Sequence, residues 1–234
     1  YGVVVLHDVS GVGTGADAAA AERTQQLADG GVAVRASLPA LGVAPLDPLP
    51  LDDRVVCSDT SMTNSRLAVR WDHAGNLCSI IDLANARELV PSDEFSAVLE
   101  LAPDHPVEYD AWDLEAWTRS HATALTDRAD VDVELTDDGP LVGLLVVRRT
   151  FGPSSTVVTY ELRAGSAELL VHVDLEWHHD EHLLSLAFPL DVRADTARCD
   201  IQFGVVERPT HPSTPWDAAK FEVCAHRFVD VSEP

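Results

Sequence analysis

Three consecutive stretches decide the fold of this chain: Leu141-Val-Gly-Leu-Leu-Val-Val-Arg-Arg149, Phe151-Gly-Pro-Ser154 and Val157-Val-Thr-Tyr-Glu-Leu162. The first and third are short runs rich in β-branched, aromatic and other apolar residues, which is typical of strands. The second has the Gly-Pro chemistry of a tight turn. Two strands joined by such a turn predict an antiparallel hairpin, and the rest of the chain repeats this pattern.

Further strands are predicted on both sides of the hairpin. They cover residues 67–71, 77–81, 97–101, 131–135, 168–177 and 183–188. Turn signals separate them at residues 72–75, 137–140 and 164–166. Many short strands with a turn about every ten residues predict an all-β fold, a large antiparallel β-sandwich over residues 51–234.

Residues 1–50 are predicted to be a lead-in segment with a short helix. Strands are expected at residues 3–6 and 31–36, a glycine-rich turn at residues 10–15, a helix at residues 16–29, and a stiff proline-rich connector at residues 45–50. Gly11, Gly13 and Ala16 match the spacing of a dinucleotide-binding turn. We reject that interpretation because no further strand–helix alternation follows to build a parallel sheet.

Composition limits the class of protein. The 234 residues are 46% hydrophobic, which is enough for a substantial core. Asp and Glu number 39 against 16 Lys and Arg, a net charge of −23, which argues against nucleic acid or an anionic membrane as partner. The four cysteines have no short pairing, so we expect them to be reduced in a cytoplasmic protein. No apolar run is long enough to span a membrane.

The C-terminal stretch from Ile201 to Glu233 concentrates the side chains that recognise sugars. Arg208, His211, Trp216 and Asp217 are its candidate substrate-binding residues. Guanidinium and carboxylate groups form hydrogen bonds with hydroxyl groups, and an indole ring packs against the apolar face of a sugar ring. The alternative interpretation is a pair of strands joined by a proline-rich loop, in which the charged side chains form ion pairs that stabilise the fold and bind no ligand.

A second group of candidate substrate-binding residues is Tyr109, Asp110, Trp112 and Asp113. The alternative there is a capped turn whose Trp112 fills the core, since tryptophans are mostly buried. Residues 176–182 contain three histidines and resemble a metal site. Because neighbouring side chains on a strand point to opposite faces, we interpret residues 176–182 as a solvated hairpin turn and expect no metal site in the chain.

The C-terminal stretch resembles the signature of the glycoside hydrolase family 38 α-mannosidases, nearest the subgroup with cytosolic and vacuolar enzymes. The matching motifs are Phe203-Gly204, Arg208-Pro-Thr-His211, Trp216-Asp217, Phe221-Glu-Val223 and Ala225-His-Arg227. Ser213 replaces an Asn of the family. The resemblance continues through the Tyr109-Asp-Ala-Trp-Asp113 loop and the strands of residues 64–90 and 168–189.

The resemblance implies a galactose-mutarotase-like super-sandwich and a parent enzyme that hydrolyses terminal α-mannosides with retention. The zinc or cobalt ion and the nucleophile would belong to a catalytic domain outside this chain, so no catalytic residue and no cofactor are expected here. Two alternatives remain open: a stand-alone carbohydrate-binding module, and an aldose mutarotase-like epimerase using His211 or His226 with Glu222.

In the family, further strands follow the C-terminal stretch and complete the sandwich. A sheet without its neighbouring strand presents unpaired N–H and C=O groups. We therefore expect the chain either to form a homodimer through an exposed sheet edge or to be poorly ordered beyond about Val223.

Overall fold

The structure is a computed structural model that describes residues 2–6, 24–37, 39, 49, 52–109, 112–233. Within these ranges the chain forms eighteen strands in five antiparallel sheets. The predicted all-β antiparallel sandwich is confirmed.

The lead-in strands form a sheet of their own. Its three members are β1 Gly2–Leu6, β2 Thr24–Gln26 and β3 Val32–Ala36, in the order β1-β3-β2. Since β1 and β3 pair antiparallel, a dinucleotide-binding unit, which needs parallel strands, is excluded. The predicted helix of residues 16–29 is wrong at its described end, because residues 24–26 pair with β3 as a strand. Its earlier part, the glycine-rich turn and most of the proline-rich connector lie outside the described residues.

The two largest sheets form the body of the sandwich. One contains β4 Val56–Ser58, β5 Ser61–Thr63, β6 Leu67–Trp71, β7 Leu77–Asp82 and β8 Arg87–Glu88 in sequential order. The other contains β11 Val131–Asp138, β12 Val142–Phe151, β13 Ser154–Arg163 and β14 Leu169–Glu176. The predicted hairpin is the β12–β13 pair, closed by Phe151 opposite Ser154.

The hydrophobic core lies between these two sheets. Met62 and Val69 come from the five-stranded sheet, Leu145 and Leu162 from the four-stranded sheet, and all four are at most 1% exposed. Burying each large aliphatic side chain contributes about 1.5–3 kcal/mol. At Gly75 the layers come so close that an added Cβ would lie 2.6 Å from a methyl group of Val147, so only glycine fits this turn of positive φ.

The lead-in sheet is attached to the core of the sandwich. The side chain of Gln25 accepts hydrogen bonds from the amides of Leu141 (2.7 Å) and Val142 (2.8 Å) and donates to the carbonyl of Val142 (2.9 Å). Ala33 is fully buried in the same core cluster. The boundary near residue 50 stays a prediction.

Two smaller sheets complete the described fold. One contains β9 Val98–Pro103, β10 Thr123–Ala124 and β15 His182–Ala187, with β9 in the centre. The other contains β16 Thr196–Ile201, β17 Gly204–Pro209 and β18 Val229–Asp230, with β16 in the centre. A 3-10 turn spans Thr118–His121 and the short helix α1 spans Pro215–Ala218. In the described part of the chain, no helix is both long and apolar enough to cross a membrane.

Candidate functional site

The first group of candidate residues lies on the aromatic loop, our name for residues 104–121. Its tip is a turn in which Tyr109 has a positive φ of 58° and its carbonyl accepts from the amides of Trp112 (2.7 Å) and Asp113 (3.0 Å). A positive φ is uncommon for an aromatic residue and is often associated with function. Asp110 lies outside the described residues.

The aromatic side chains of this loop point into solvent. Tyr109 is 68% exposed and Trp112 is 89% exposed. The alternative in which Trp112 fills the core is therefore wrong; Trp71 on β6 occupies the core instead, at 3% exposure. Asp113 is also exposed, so the loop presents two aromatic faces beside a carboxylate.

The second group lies on residues 201–233, which we call the C-terminal segment. Arg208 is half-buried on β17 and donates to the carbonyl of Cys224 at 3.5 Å, while its Nε is buried without a hydrogen-bond partner in the described part of the chain. His211 is exposed, with Nδ1 2.6 Å from the hydroxyl of Ser213. Ser213 thus makes a local contact at the position where the family has Asn.

Trp216 and Asp217 lie on helix α1, which starts with a capping box. Thr214 Oγ1 accepts from the amide of Asp217 at 3.2 Å, and Asp217 Oδ2 accepts from the amide (3.1 Å) and hydroxyl (2.7 Å) of Thr214. Such a box stabilises the start of a helix. It fixes the turn that carries Trp216, whose side chain is 80% exposed.

The two groups belong to neighbouring parts of the surface. Arg119, at the end of the aromatic loop, forms an ion pair with Glu222 of the C-terminal segment at 3.3 Å. Among the described residues, seventeen large hydrophobic side chains are exposed; four belong to the aromatic loop and seven to the C-terminal segment. Exposed apolar side chains are thus concentrated on the two segments that carry the candidate residues.

Asp200 organises the C-terminal segment, and sequence reasoning missed it. This carboxylate on β16 is 2% exposed, and its Oδ1 accepts from the amides of His226 (2.9 Å), Arg227 (2.6 Å) and Phe228 (3.0 Å). The hydrogen bonds from these amides, that of Arg227 first, hold the pKa of Asp200 well below its usual range. The partners lie 26–28 residues away, so no local pattern could have revealed the contact.

The end of the C-terminal segment is also attached. Val229–Asp230 pairs with β16 as β18, and Glu233 accepts from the guanidinium of Arg87 (2.9 Å) and the amide of Arg193 (2.7 Å). The hydrogen bond from Arg87 is the main reason why the pKa of Glu233 is lowered. These contacts differ from the expected loss of order beyond Val223; the homodimer stays a prediction.

The histidine cluster of residues 176–182 has structural contacts. His179 Nδ1 lies 2.8 Å from the hydroxyl of Ser154, and its ring stacks on Phe151. Within the described ranges no group of three His, Cys, Asp or Glu side chains is arranged to hold a metal ion. The four cysteines are free, and burial raises the pKa of the Cys57 thiol to about 11.

Comparison with known proteins relates this chain to one family. The model described as "Glycosyl hydrolases family 38 C-terminal domain" matches residues 62–234. The chain is 32% identical over 211 residues to human Alpha-mannosidase 2C1, covering 84% of this chain and 20% of that protein. It is 29% identical over 180 residues to an Alpha-mannosidase of Saccharomyces cerevisiae, covering 74% of this chain and 15% of that protein.

One solved structure has a similar fold. It is a family 38 glycosyl hydrolase protein from Enterococcus faecalis, with a TM-score of 0.53 and 14% identity over 79% of this chain and 24% of that one. At this identity the similarity concerns the fold alone. The chain spans about a fifth of the length of the human relative and less of the yeast one.

Proposed function

Since the chain belongs to glycoside hydrolase family 38, as its C-terminal domain, we propose that it is the β-domain of an α-mannosidase that hydrolyses terminal α-mannosides with retention. In this proposal the domain forms part of the sugar cleft and supports a catalytic domain encoded elsewhere in the parent protein. The parent is a cytoplasmic enzyme acting on an α-mannoside or oligosaccharide.

The observation that carries the proposal is the exposure of aromatic side chains on two segments joined by Arg119 and Glu222. Large exposed apolar surfaces often mark the place where a domain meets a partner or a ligand. Tyr109, Trp112 and Trp216 offer faces for the apolar side of a sugar ring or for the neighbouring domain.

Polar candidate residues add hydrogen-bonding groups to the same two segments. Asp110, Asp113 and His211 would contact hydroxyl groups, and Arg208 has a buried Nε available to donate. Asp217 is already bound to Thr214, so in this proposal it contributes by holding the turn of Trp216.

The zinc or cobalt ion expected in the parent does not fit the described residues of this chain. The metal-ligating side chains of the described ranges form no group of three. The proposal therefore assigns the metal and the nucleophile to the catalytic domain and routes no step of the reaction through these residues.

The first test compares the isolated chain with the parent protein. We expect the full-length parent to hydrolyse an aryl α-mannoside, and the isolated 234-residue chain to hydrolyse none with zinc or cobalt added. Metal-dependent turnover by the isolated chain would contradict the proposed division between the domains.

The second test measures the activity of the full-length parent carrying Trp112→Ala or Trp216→Ala, with the Val56→Ala variant as the control. Val56 is 66% exposed on β4, far in sequence from both segments. Loss of a stacking contact is expected to raise KM or lower kcat/KM by about fivefold or more, since an aromatic contact is worth about 1 kcal/mol or more. If both tryptophan variants behave like Val56→Ala in activity and stability, the two segments form neither cleft nor interface.

A stand-alone carbohydrate-binding module is the second candidate, because exposed aromatic side chains alone can bind sugars. Calorimetric titration of the isolated chain with a mannose oligosaccharide distinguishes the two: tight binding favours the module. For a mutarotase, Glu222 would have to face His211 or His226, but its described contact is with Arg119 and that of His211 is with Ser213.

A further inference from the structure

A small cavity lies in the core, on the inner face of the four-stranded sheet. Its volume is about 20 Å³, and a cavity needs about 10–15 Å³ to hold one water-sized particle. Three polar side chains line it from the paired strands β12 and β13: Arg149, Thr156 and Tyr160.

Arg149 is a buried cation whose hydrogen-bond partners are all neutral. It is 7% exposed and donates to the carbonyl of Asp127 (2.7 Å), the carbonyl of Ala74 (3.3 Å) and the side-chain oxygen of Asn76 (3.4 Å). Among the described residues no carboxylate lies within ion-pair distance of its guanidinium. A buried charge without a counter-charge is costly.

The electrostatic environment of Arg149 agrees with this geometry. Burial is the main reason why the pKa of the Arg149 guanidinium is lowered, and the nearby charge of Arg128 lowers it further. The interactions with Tyr160, Asp72 and Asp127 raise the pKa and offset only part of this effect. Both carboxylates act from beyond ion-pair distance, so the cavity beside Arg149 remains a place where a negative charge is favourable.

Thr156 supplies an unpartnered hydroxyl donor to the same cavity, which Tyr160 also lines. Thr156 is 2% exposed and its Oγ1 has no hydrogen-bond partner in the described part of the protein. The Tyr160 hydroxyl reaches the carbonyl of Ala97 at 3.4 Å, at the long limit of a hydrogen bond. The guanidinium of Arg149 and the unpartnered hydroxyl of Thr156 therefore belong to two residues that line the same small cavity, and both groups can donate.

We propose that this cavity binds one small monovalent anion, of chloride or bromide size, against Arg149 and Thr156. A water molecule would satisfy the hydroxyl group of Thr156 but would leave the charge of Arg149 without a counter-charge. An anion satisfies both. Because the cavity is lined by Asn76 and Ala97 as well as by the two strands, the bound ion links the two halves of the sandwich.

The test measures unfolding of the 234-residue chain while chloride replaces gluconate at constant ionic strength. Gluconate is too large for the cavity, and constant ionic strength removes the general effect of screening. A ligand that binds only the folded state raises stability with its concentration. We expect the urea midpoint to rise with chloride and with bromide; equal midpoints in gluconate and chloride would overturn the proposal.

Two variants of one strand sharpen the test. Thr156→Val removes the hydroxyl donor while conserving shape, and is expected to weaken the apparent chloride affinity by about tenfold, as for loss of one hydrogen bond to a charged group. Thr159→Val, half-buried on the opposite face of β13, is the matched control and should keep the wild-type affinity. If Thr156→Val and Thr159→Val show the same chloride affinity, Thr156 does not bind the anion.

Diffraction from crystals grown in bromide gives a readout that does not depend on the variants. An anomalous peak beside Arg149 is the expected result. A water molecule alone at that position, with no anomalous signal, would overturn the proposal.

Discussion

Asp200 and Arg149 are both almost fully buried charged side chains, yet their surroundings differ. Asp200 accepts three backbone amides, whereas Arg149 donates to neutral oxygens and faces a cavity. A carboxylate with several N–H donors keeps its charge at little cost, and it fixes the backbone that supplies them. Asp200 therefore holds the turn of residues 226–228, which carries part of the family motif.

The residue-scale prediction concerns Asp200→Asn and pH. The folded pKa is lowered, so the stabilisation is complete above the unfolded value of about 3.9 and is lost as pH falls through the lower folded value. The wild type should therefore lose urea resistance below about pH 4. The variant should be less stable at pH 7 and should lose less between pH 7 and pH 2.

The control for this experiment is Asp174→Asn, which changes an exposed carboxylate on β14. It should reproduce the wild-type pH dependence of the urea midpoint. If Asp200→Asn and Asp174→Asn have the same profile, Asp200 does not hold the turn.

At the scale of elements, attachment of the lead-in sheet depends on Gln25. This side chain is 8% exposed and caps the amides of Leu141 and Val142 at the start of β12. The family match begins only at residue 62, so this sheet lies outside the matched region. Among the described residues, this contact attaches the lead-in sheet to the sandwich.

The element-scale prediction compares Gln25→Ala with Gln26→Ala. The first leaves two buried amides unsatisfied, each costing about 1–3 kcal/mol, so the free energy of unfolding should fall by about 2 kcal/mol or more. Gln26 is exposed, and its side-chain hydrogen bonds within the described ranges are to the nearby carbonyls of Gly30 and Gly31. Its variant should therefore change stability by less than about 1 kcal/mol. Equal urea midpoints for the two variants would show that the hydrogen bonds of Gln25 do not stabilise the fold.

An element can be predicted from the sequence when the interactions that form it are local, and less well when they join distant residues. The alternating runs and Gly-Pro turns predicted β12 and β13 closely, because strand periodicity and turn chemistry are local properties. Residues 24–26 were predicted as helix because they belong to the helix-favouring run of residues 16–29. Pairing with β3 and the long-range bonds of Gln25 make them a strand.

The same limit applies to the candidate site. Motif resemblance selected the loops that carry Trp112 and Trp216, and the structure exposes both indoles. The pairing of Arg119 with Glu222, residues 103 positions apart, could not be read from local patterns. Tertiary contacts, unlike turns and strands, have no signature within a short window.

At the scale of the whole molecule, acidic side chains far outnumber their possible partners. The chain has 39 Asp and Glu and 16 Lys and Arg. On the outer face of the four-stranded sheet, Arg148 forms ion pairs with both Asp132 (3.1 Å) and Glu134 (2.9 Å). Exposed ion pairs of this kind contribute little each. Repulsion between the carboxylates is therefore expected to outweigh the attraction within the ion pairs.

The last prediction is that moderate salt stabilises the chain by screening this repulsion. Raising sodium gluconate from about 0.01 M to about 0.1 M shortens the screening length from about 30 Å to about 10 Å. Self-repulsion destabilises the compact state, so the melting temperature at pH 7 should rise, by about 2–4 °C for each kcal/mol relieved. Because gluconate is too large for the cavity at Arg149, a rise in the melting temperature with sodium gluconate reports screening and not anion binding. Near pH 5, where carboxylates begin to be protonated, the rise should be smaller. A melting temperature that stays constant or falls with salt at pH 7 would show that the net charge of −23 does not destabilise the fold.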